Sequence, residues 1–106
     1  MAGTVRSISP LEVKARLDRG DEFVWLDVRS PGEYEERHIE DPRVKLIPLG
    51  LLRRRMDELP RDAESVIFCK TSMRGYEAQR IFQNVQFMDG GIMAWPYEMV
   101  TRPAST

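Results

Sequence analysis

The chain has 106 residues, 42% hydrophobic and 31% charged, a composition typical of one folded domain rather than of a disordered segment. Its 16 basic and 17 acidic residues leave a net charge of −1, which argues against nucleic acid and anionic membranes as partners. One cysteine, no signal-peptide pattern and no apolar run of ~20 residues predict a cytoplasmic protein without disulfides or membrane spans. We expect a single domain over residues 1–106, with a core at about 8–97 and a polar tail at 101–106.

The first predicted element is a helix that follows Ser9. Ser9 can cap it, Pro10 suits the first helical position, and Glu12 would complete a capping box. Gly20 suits the left-handed conformation that ends many helices. The apolar run at residues 23–28 is typical of a strand buried on both faces, as in a parallel sheet covered by helices.

The rest of the chain alternates predicted helices and strands. A second capping signature, Ser30 to Glu33, predicts a short helix that reaches about Arg37. Strands are predicted at residues 44–47, 65–68 and 85–88, and helices at 49–59 and 73–83. This alternation predicts an α/β fold, with a central, mostly parallel sheet of about five strands and helices on both faces. Ligands of such sheets bind beyond the carboxyl ends of the strands.

Most of the remaining distinctive residues are assigned to packing. Tryptophan, tyrosine and methionine side chains near the predicted strands are expected in the core, at its edge or filling gaps: Trp25, Trp95, Tyr97, Met88, Met93 and Met99. His38 is expected to make structural hydrogen bonds, and Gly90-Gly91 to form a turn, since no dinucleotide-binding pattern surrounds it. No His/Cys/Asp cluster has ligand spacing, so no metal and no cofactor is expected.

The candidate site is the loop Cys69-Lys70-Thr71-Ser72-Met73-Arg74, between a buried strand and a helix. Backbone N–H groups of a tight loop and of a helix N-terminus converge there and favour an anion. Lys70 and Arg74 add full positive charges, so Cys69 is expected to act as a thiolate nucleophile. A loop of this shape can equally hold phosphate or arsenate. The alternative is a buried cysteine that serves only as a small hydrophobic residue.

The loop from Cys69 to Arg74 resembles the active-site loop of rhodanese-type sulfurtransferases, in which a six-residue turn connects the persulfide cysteine to an arginine. Residues 27–39 resemble the family's D-V-R-x-x-x-E-[FY]-x-x-x-H-I motif, and residues 84–95 its closing N-V-x-x-L-x-G-G-x-x-x-W motif. The likeness covers about residues 8–97 and implies a three-layer rhodanese-like fold. The segment G-G-x-x-x-W-P-Y-E also resembles rhodanese domains attached to flavin-dependent disulfide reductases, which implies such a reductase as partner or parent chain.

The resemblance implies a sulfurtransferase that moves sulfane sulfur from thiosulfate or a persulfide donor to cyanide or a thiol acceptor, through a persulfide on Cys69. The substrate would be held by the residues that follow the cysteine: Lys70, Thr71, Ser72, Met73 and Arg74. Asp27 and Arg29 are expected to form a supporting salt bridge. The chain departs from the family at Ser72, where glycine is common and where serine changes the accessible backbone conformations.

Two other functions stay open. Dual-specificity phosphatases related to this fold use a C-x5-R loop, one residue longer than the spacing from Cys69 to Arg74. A non-catalytic interaction module is the other alternative. Inert rhodanese-like domains commonly lack the cysteine, so Cys69 argues against that alternative, while Ser72 keeps it open.

Overall fold

The computed structural model describes residues 7–58, 64–70 and 85–101. The elements in chain order are β1 (Ser7–Ile8), α1 (Pro10–Arg19), β2 (Val24–Asp27), α2 (Pro31–Glu36), β3 (Arg37–His38), β4 (Val44–Leu46), β5 (Ser65–Phe68), β6 (Val85–Met88) and β7 (Val100–Thr101). Short 3₁₀ helices occupy Leu49–Leu51, Met56–Glu58 and Gly91–Ala94. The predicted helix at residues 73–83 lies outside the described residues.

Five of the strands form a parallel sheet in the order β1-β6-β5-β2-β4. This confirms the predicted α/β fold and its sheet. Strands β3 and β7 pair separately in an antiparallel ribbon. The sequence did not predict β1, β3 or β7, because a strand of two residues is too short to show alternation of apolar and polar positions.

Both faces of the sheet are buried, and successive strand residues alternate between two clusters. Trp25 and Phe68 pack on the face that carries Val13 of α1. Leu26 and Ile67 pack on the opposite face with Leu52 and Cys69, among other residues. Apolar side chains project from both faces of β2 and β5. Both strands therefore have nearly continuous apolar sequences.

The helix caps follow from the sequence, with one exception. Ser9 Oγ accepts a hydrogen bond from the Glu12 N–H at 3.1 Å, and Gly20 ends α1 in the left-handed conformation at φ 79°. The full capping box predicted for α1 is wrong, since the Glu12 side chain does not bond back to Ser9. The box is complete in α2, where Ser30 and Glu33 exchange hydrogen bonds of 3.2 and 3.1 Å.

The prediction of one helix over residues 49–59 is wrong in the part that the structure describes, 49–58. Two 3₁₀ helices joined by turns replace it, with bonds such as Leu52 N–H to Leu49 O at 3.2 Å. Leu52 is fully buried, whereas Leu51 and the arginines at 53 and 54 are exposed. Among the residues of this segment whose burial is described, Leu52 alone is buried, and one buried side chain does not require an amphipathic helix of several turns. Gly50 also lowers the helix propensity of the first turn.

The aromatic residues pack as predicted. The Trp95 ring lies between Trp25 and Tyr97, with ring centroids 5.3 and 4.9 Å away. Met88 is buried, but the gap-filling role predicted for Met93 is wrong, because this side chain is 58% exposed. None of the helices in the described residues is long and apolar enough to cross a membrane.

Candidate active site

The site lies at the carboxyl edge of the sheet, where β2 and β5 end side by side. Asp27 is in register with Phe68, and the Val28 N–H donates to Phe68 O at 3.1 Å. Cys69 therefore follows the central strand directly, as predicted, and is 1% exposed. The residues from Thr71 to Arg74, which the sequence assigns to the substrate, lie outside the described part of the chain.

Asp27 and Arg29 form the predicted salt bridge, and both side chains are buried. Asp27 Oδ2 accepts from Arg29 Nη2 at 2.7 Å, and Oδ1 accepts from Arg29 Nε at 2.9 Å. Oδ1 also accepts from the backbone N–H of Arg29 at 3.0 Å. This bidentate geometry satisfies the carboxylate and neutralises the guanidinium, so the pair adds no net charge to the site.

The same guanidinium fixes the segment that forms one wall of the site. Arg29 Nη1 donates to Glu33 O at 3.2 Å, and Nη2 donates to Arg37 O at 2.9 Å. The C-terminal end of α2 is thereby held against the end of β2. Because the acceptors are backbone carbonyls, these two hydrogen bonds do not depend on the side chains of Glu33 and Arg37.

The Gly90-Gly91 turn holds the opposite wall, which carries the cysteine. The Ile92 N–H donates to Cys69 O at 2.8 Å, and the Met93 N–H donates to Lys70 O at 3.3 Å. Gly91 has φ 61°, and a Cβ there would meet the carbonyl oxygens of Cys69 and Lys70. The turn was predicted, but the contact that makes Gly91 necessary at the cysteine is tertiary and leaves no signal in the sequence.

A cleft of about 240 Å³ lies between these two walls. Its lining residues are Arg29, Glu33, Glu36, Arg37, Lys70, Ile92 and Met93. Lys70 and Arg29 were among the predicted site residues. Sequence reasoning missed Glu36 and Arg37, since an acidic pair followed by an arginine at a helix end ordinarily indicates a solvated surface.

His38, the one histidine of the sequence, has structural partners. The His38 ring stacks on Tyr34 at 4.0 Å, and its Nδ1 lies 2.9 Å from Tyr34 O. Its Nε2 lies 3.2 Å from Glu40 Oε2, in agreement with the structural role predicted for it. Among residues 7–58, 64–70 and 85–101, no three His, Cys, Asp or Glu side chains cluster so that they could hold a metal ion.

Comparison with known proteins identifies relatives named for sulfur transfer. A sulfurtransferase of Allochromatium vinosum is 31% identical over 96 residues, which cover 86% of this chain and 88% of the relative. The probable adenylyltransferase/sulfurtransferase MoeZ of Mycobacterium tuberculosis is 35% identical over 100 residues, 88% of this chain. The match spans only 25% of that longer protein.

Solved structures include domains attached to reductases, the class that the C-terminal segment resembles. The CoA disulfide reductase–rhodanese protein of Bacillus anthracis matches with a TM-score of 0.74 and 31% identity, over 86% of this chain and 16% of that one. An NAD-dependent persulfide reductase from A. fulgidus matches with a TM-score of 0.67 and 38% identity, over 88% and 16% of the two chains. The rhodanese-like domain family itself matches residues 9–98. This chain therefore belongs to the rhodanese-like domain family.

Proposed function

We propose that the protein is a rhodanese-type sulfurtransferase in which Cys69 carries the transferred sulfur as a persulfide. The observation that carries this proposal is the place of Cys69, directly after the buried central strand β5 and directly before Lys70, which lines the cleft. Relatives at 31–35% identity that are named sulfurtransferases support it. Thr71, Ser72, Met73 and Arg74 would complete the anion-binding loop.

In the proposed loading step the Cys69 thiolate attacks the sulfane sulfur of thiosulfate. The S–S bond of thiosulfate breaks, sulfite leaves with the bonding electrons, and a persulfide remains on the cysteine. An acceptor thiolate then attacks the outer sulfur, the Cys69 thiolate leaves, and the acceptor departs as a persulfide. The acceptor's proton is released as its thiolate forms. No external oxidant or reductant is needed, because each step exchanges one S–S bond for another.

The burial of Cys69 places a condition on this chemistry. Cys69 is 1% exposed and belongs to a buried apolar cluster that includes Val28 and Ile67. The Cys69 thiolate can attack a donor only if its sulfur becomes accessible to that donor, so loading should be slower than for an exposed thiol. The persulfide that forms would be shielded from water and from unrelated thiols.

Mass spectrometry of the intact protein after thiosulfate treatment tests the proposal. The wild type should gain the mass of one sulfur atom and lose it on addition of cyanide. Cys69→Ser should gain nothing, and Lys70→Gln should still load but more slowly. The proposal fails if Cys69→Ser acquires the same adduct, or if the wild type acquires none from thiosulfate or from a low-molecular-weight persulfide.

The same burial favours one alternative, a non-catalytic module in which Cys69 only packs the core. That function predicts no adduct with any donor, together with a stability loss for Cys69→Ser from the buried hydroxyl.

We further propose that the sulfurtransferase works in a reducing, cytoplasmic compartment. A flavin-dependent disulfide reductase, as a separate protein or in the same polypeptide, would be its partner.

A further inference from the structure

A second cleft, of about 590 Å³, lies on the face of the sheet opposite to the one on which Cys69 packs. Its walls come from residues 14–18 of α1, from the segment 39–43 and from residues 95–98, and Trp25 of β2 also lines it. We call it the tryptophan cleft, because it contains both tryptophans of the sequence, Trp25 and Trp95. Its volume falls within the roughly 300–1,000 Å³ that is typical of ligand sites.

Both tryptophans carry a hydrogen-bond donor that the described part of the protein leaves unused. The Nε1 atoms of Trp25 and Trp95 are buried, and neither has an acceptor among the described residues. Buried indole N–H groups usually have a partner, because a donor that loses water without gaining an acceptor destabilises the fold. The two rings lie against each other in the wall of the cleft, with centroids 5.3 Å apart. A ligand of this cleft that brings an acceptor would satisfy such a donor.

The segment that follows Trp95 is only weakly held by its backbone. Residues 96–98 form no helix or strand, and their N–H and C=O groups make no hydrogen bond with another described residue. A displacement of this segment therefore breaks no backbone hydrogen bond there, and it gives an acceptor access to the buried indoles. The same unpaired backbone groups can bond to the backbone of an extended peptide, as an unpaired sheet edge does.

The charges of the tryptophan cleft favour a cation. Its described lining residues include four carboxylates and two basic groups, which leaves an excess of two negative charges. Both basic groups, Lys14 and Arg43, form ion pairs with aspartates of the same cleft, at 2.9 and 3.1 Å. The excess therefore lies on Glu40 and Glu98. Glu40 Oε2 lies 3.2 Å from His38 Nε2, whereas Glu98 is exposed and forms no ion pair or hydrogen bond with another described residue.

We propose that the tryptophan cleft binds a basic segment of a partner protein in an extended conformation. An arginine or lysine side chain of that segment pairs with Glu98, and its backbone carbonyls accept hydrogen bonds from the indole N–H groups. A peptide fits better than a small cation, because it supplies the positive charge, the acceptors and a backbone for residues 96–98 together. The inference does not depend on sulfur transfer, since Cys69 packs on the other face of the sheet.

An NMR titration of the complete ¹⁵N-labelled chain tests the inference, because its two indole N–H signals both come from this cleft. The probe is acetyl-Gly-Arg-Gly-Arg-Gly-amide, and the control peptide has citrulline in place of arginine, which removes the charge and keeps the shape. Each is added at low ionic strength up to about 10 mM, so that millimolar dissociation constants can be measured. The variants are Glu98→Gln and, as a matched control, Glu22→Gln, which removes an exposed carboxylate outside the cleft.

The arginine peptide should shift at least one indole signal as the N–H gains an acceptor. The citrulline peptide should bind about two- to fivefold more weakly, and Glu98→Gln should weaken binding of the arginine peptide by a similar factor, as expected for an exposed ion pair. Glu22→Gln should leave the dissociation constant unchanged.

Three results would overturn the inference: indole signals that the arginine peptide does not shift, equal dissociation constants for the two peptides, or equal losses of affinity in Glu98→Gln and Glu22→Gln. A spectrum of each variant without peptide shows that its fold is intact, because both side chains are exposed and their replacement should leave the other signals in place.

Discussion

Replacement of Gly91 by alanine would force a Cβ against the backbone of the cysteine loop. A Cβ at this position would lie 2.7 Å from Lys70 O and 2.8 Å from the Lys70 carbonyl carbon, and closer still to Cys69 O. These neighbours are backbone atoms, which cannot rotate away as a side chain can. Gly91→Ala must therefore shift either the turn or the cysteine loop.

The expected cost has two parts. A left-handed conformation disfavours alanine by about 1–2 kcal/mol, and overpacking typically adds about 1–3 kcal/mol. Gly91→Ala should lower the free energy of unfolding by about 2–5 kcal/mol. Persulfide formation on Cys69 should also slow, under conditions in which the variant remains folded, because the carbonyls that Ile92 and Met93 hold would be displaced.

Two other glycines separate these contributions. Gly20 has φ 79°, and a Cβ added there would have no neighbouring atom within 4 Å. Gly20→Ala should therefore show the conformational cost alone, about 1–2 kcal/mol. Gly32 lies in α2 with only Ser30 Oγ at 4.0 Å, and Gly32→Ala should be neutral or stabilising by up to about 1 kcal/mol. Urea denaturation measures all three. If Gly91→Ala costs no more than Gly20→Ala, the contact with the cysteine loop does not restrict this position.

Three further predictions concern side chains. Asp27→Asn leaves a buried guanidinium without its counter-charge and should cost about 3–5 kcal/mol in urea denaturation, whereas Asp18→Asn in an exposed pair should cost less than about 1 kcal/mol; equal losses would contradict the role of burial. Ser30→Ala removes the cap of α2 and should cost about 0.5–2 kcal/mol; unchanged stability would show that the capping box does not hold this wall of the cleft. Hydrogen bonding and charge from Arg19 lower the pKa of Asp21 below its ordinary value of 3.8, so its stabilisation is present above that value and lost as the pH falls through the lowered one. Asp21→Asn should therefore destabilise the protein at about pH 7 and match the wild type at about pH 2; an equal difference at both would refute the ionic origin.

Local signals predicted the elements that depend on local chemistry. Ser9 and Gly20 bound α1 because capping and positive φ are properties of single residues and their immediate neighbours. The apolar runs of β2 and β5 reveal burial on both faces, and hence a parallel sheet. The segment after Pro48 was mistaken for an α-helix because its leucine spacing also fits turns in which Leu52 is the one buried residue among those whose burial is described.

The position of Cys69 and the salt bridge between Asp27 and Arg29 were predictable from the sequence, but the cleft was not. Cys69 and Arg29 each follow a strand of recognisable pattern, so their meeting at one sheet edge follows from the topology. Arg37 reaches the same cleft from a segment whose sequence indicates an exposed surface, and Met93 reaches it although the sequence predicted it to fill a gap in the core. Their approach depends on hydrogen bonds to backbone carbonyls, which any residue type can provide.

Because backbone atoms accept these hydrogen bonds, the charged side chains that line the cleft can vary without loss of the contacts. One wall is fixed through Glu33 O and Arg37 O by a buried arginine, and the other through Cys69 O by the amide of Ile92. The side chains of Glu36, Arg37 and Lys70, which line the cleft, are exposed, and these backbone contacts do not depend on them. Exposed substitutions of this kind usually alter stability by no more than about 0.5 kcal/mol. The charge of the cleft can therefore change through residues such as Arg37 while the sheet edge that carries Cys69 stays the same.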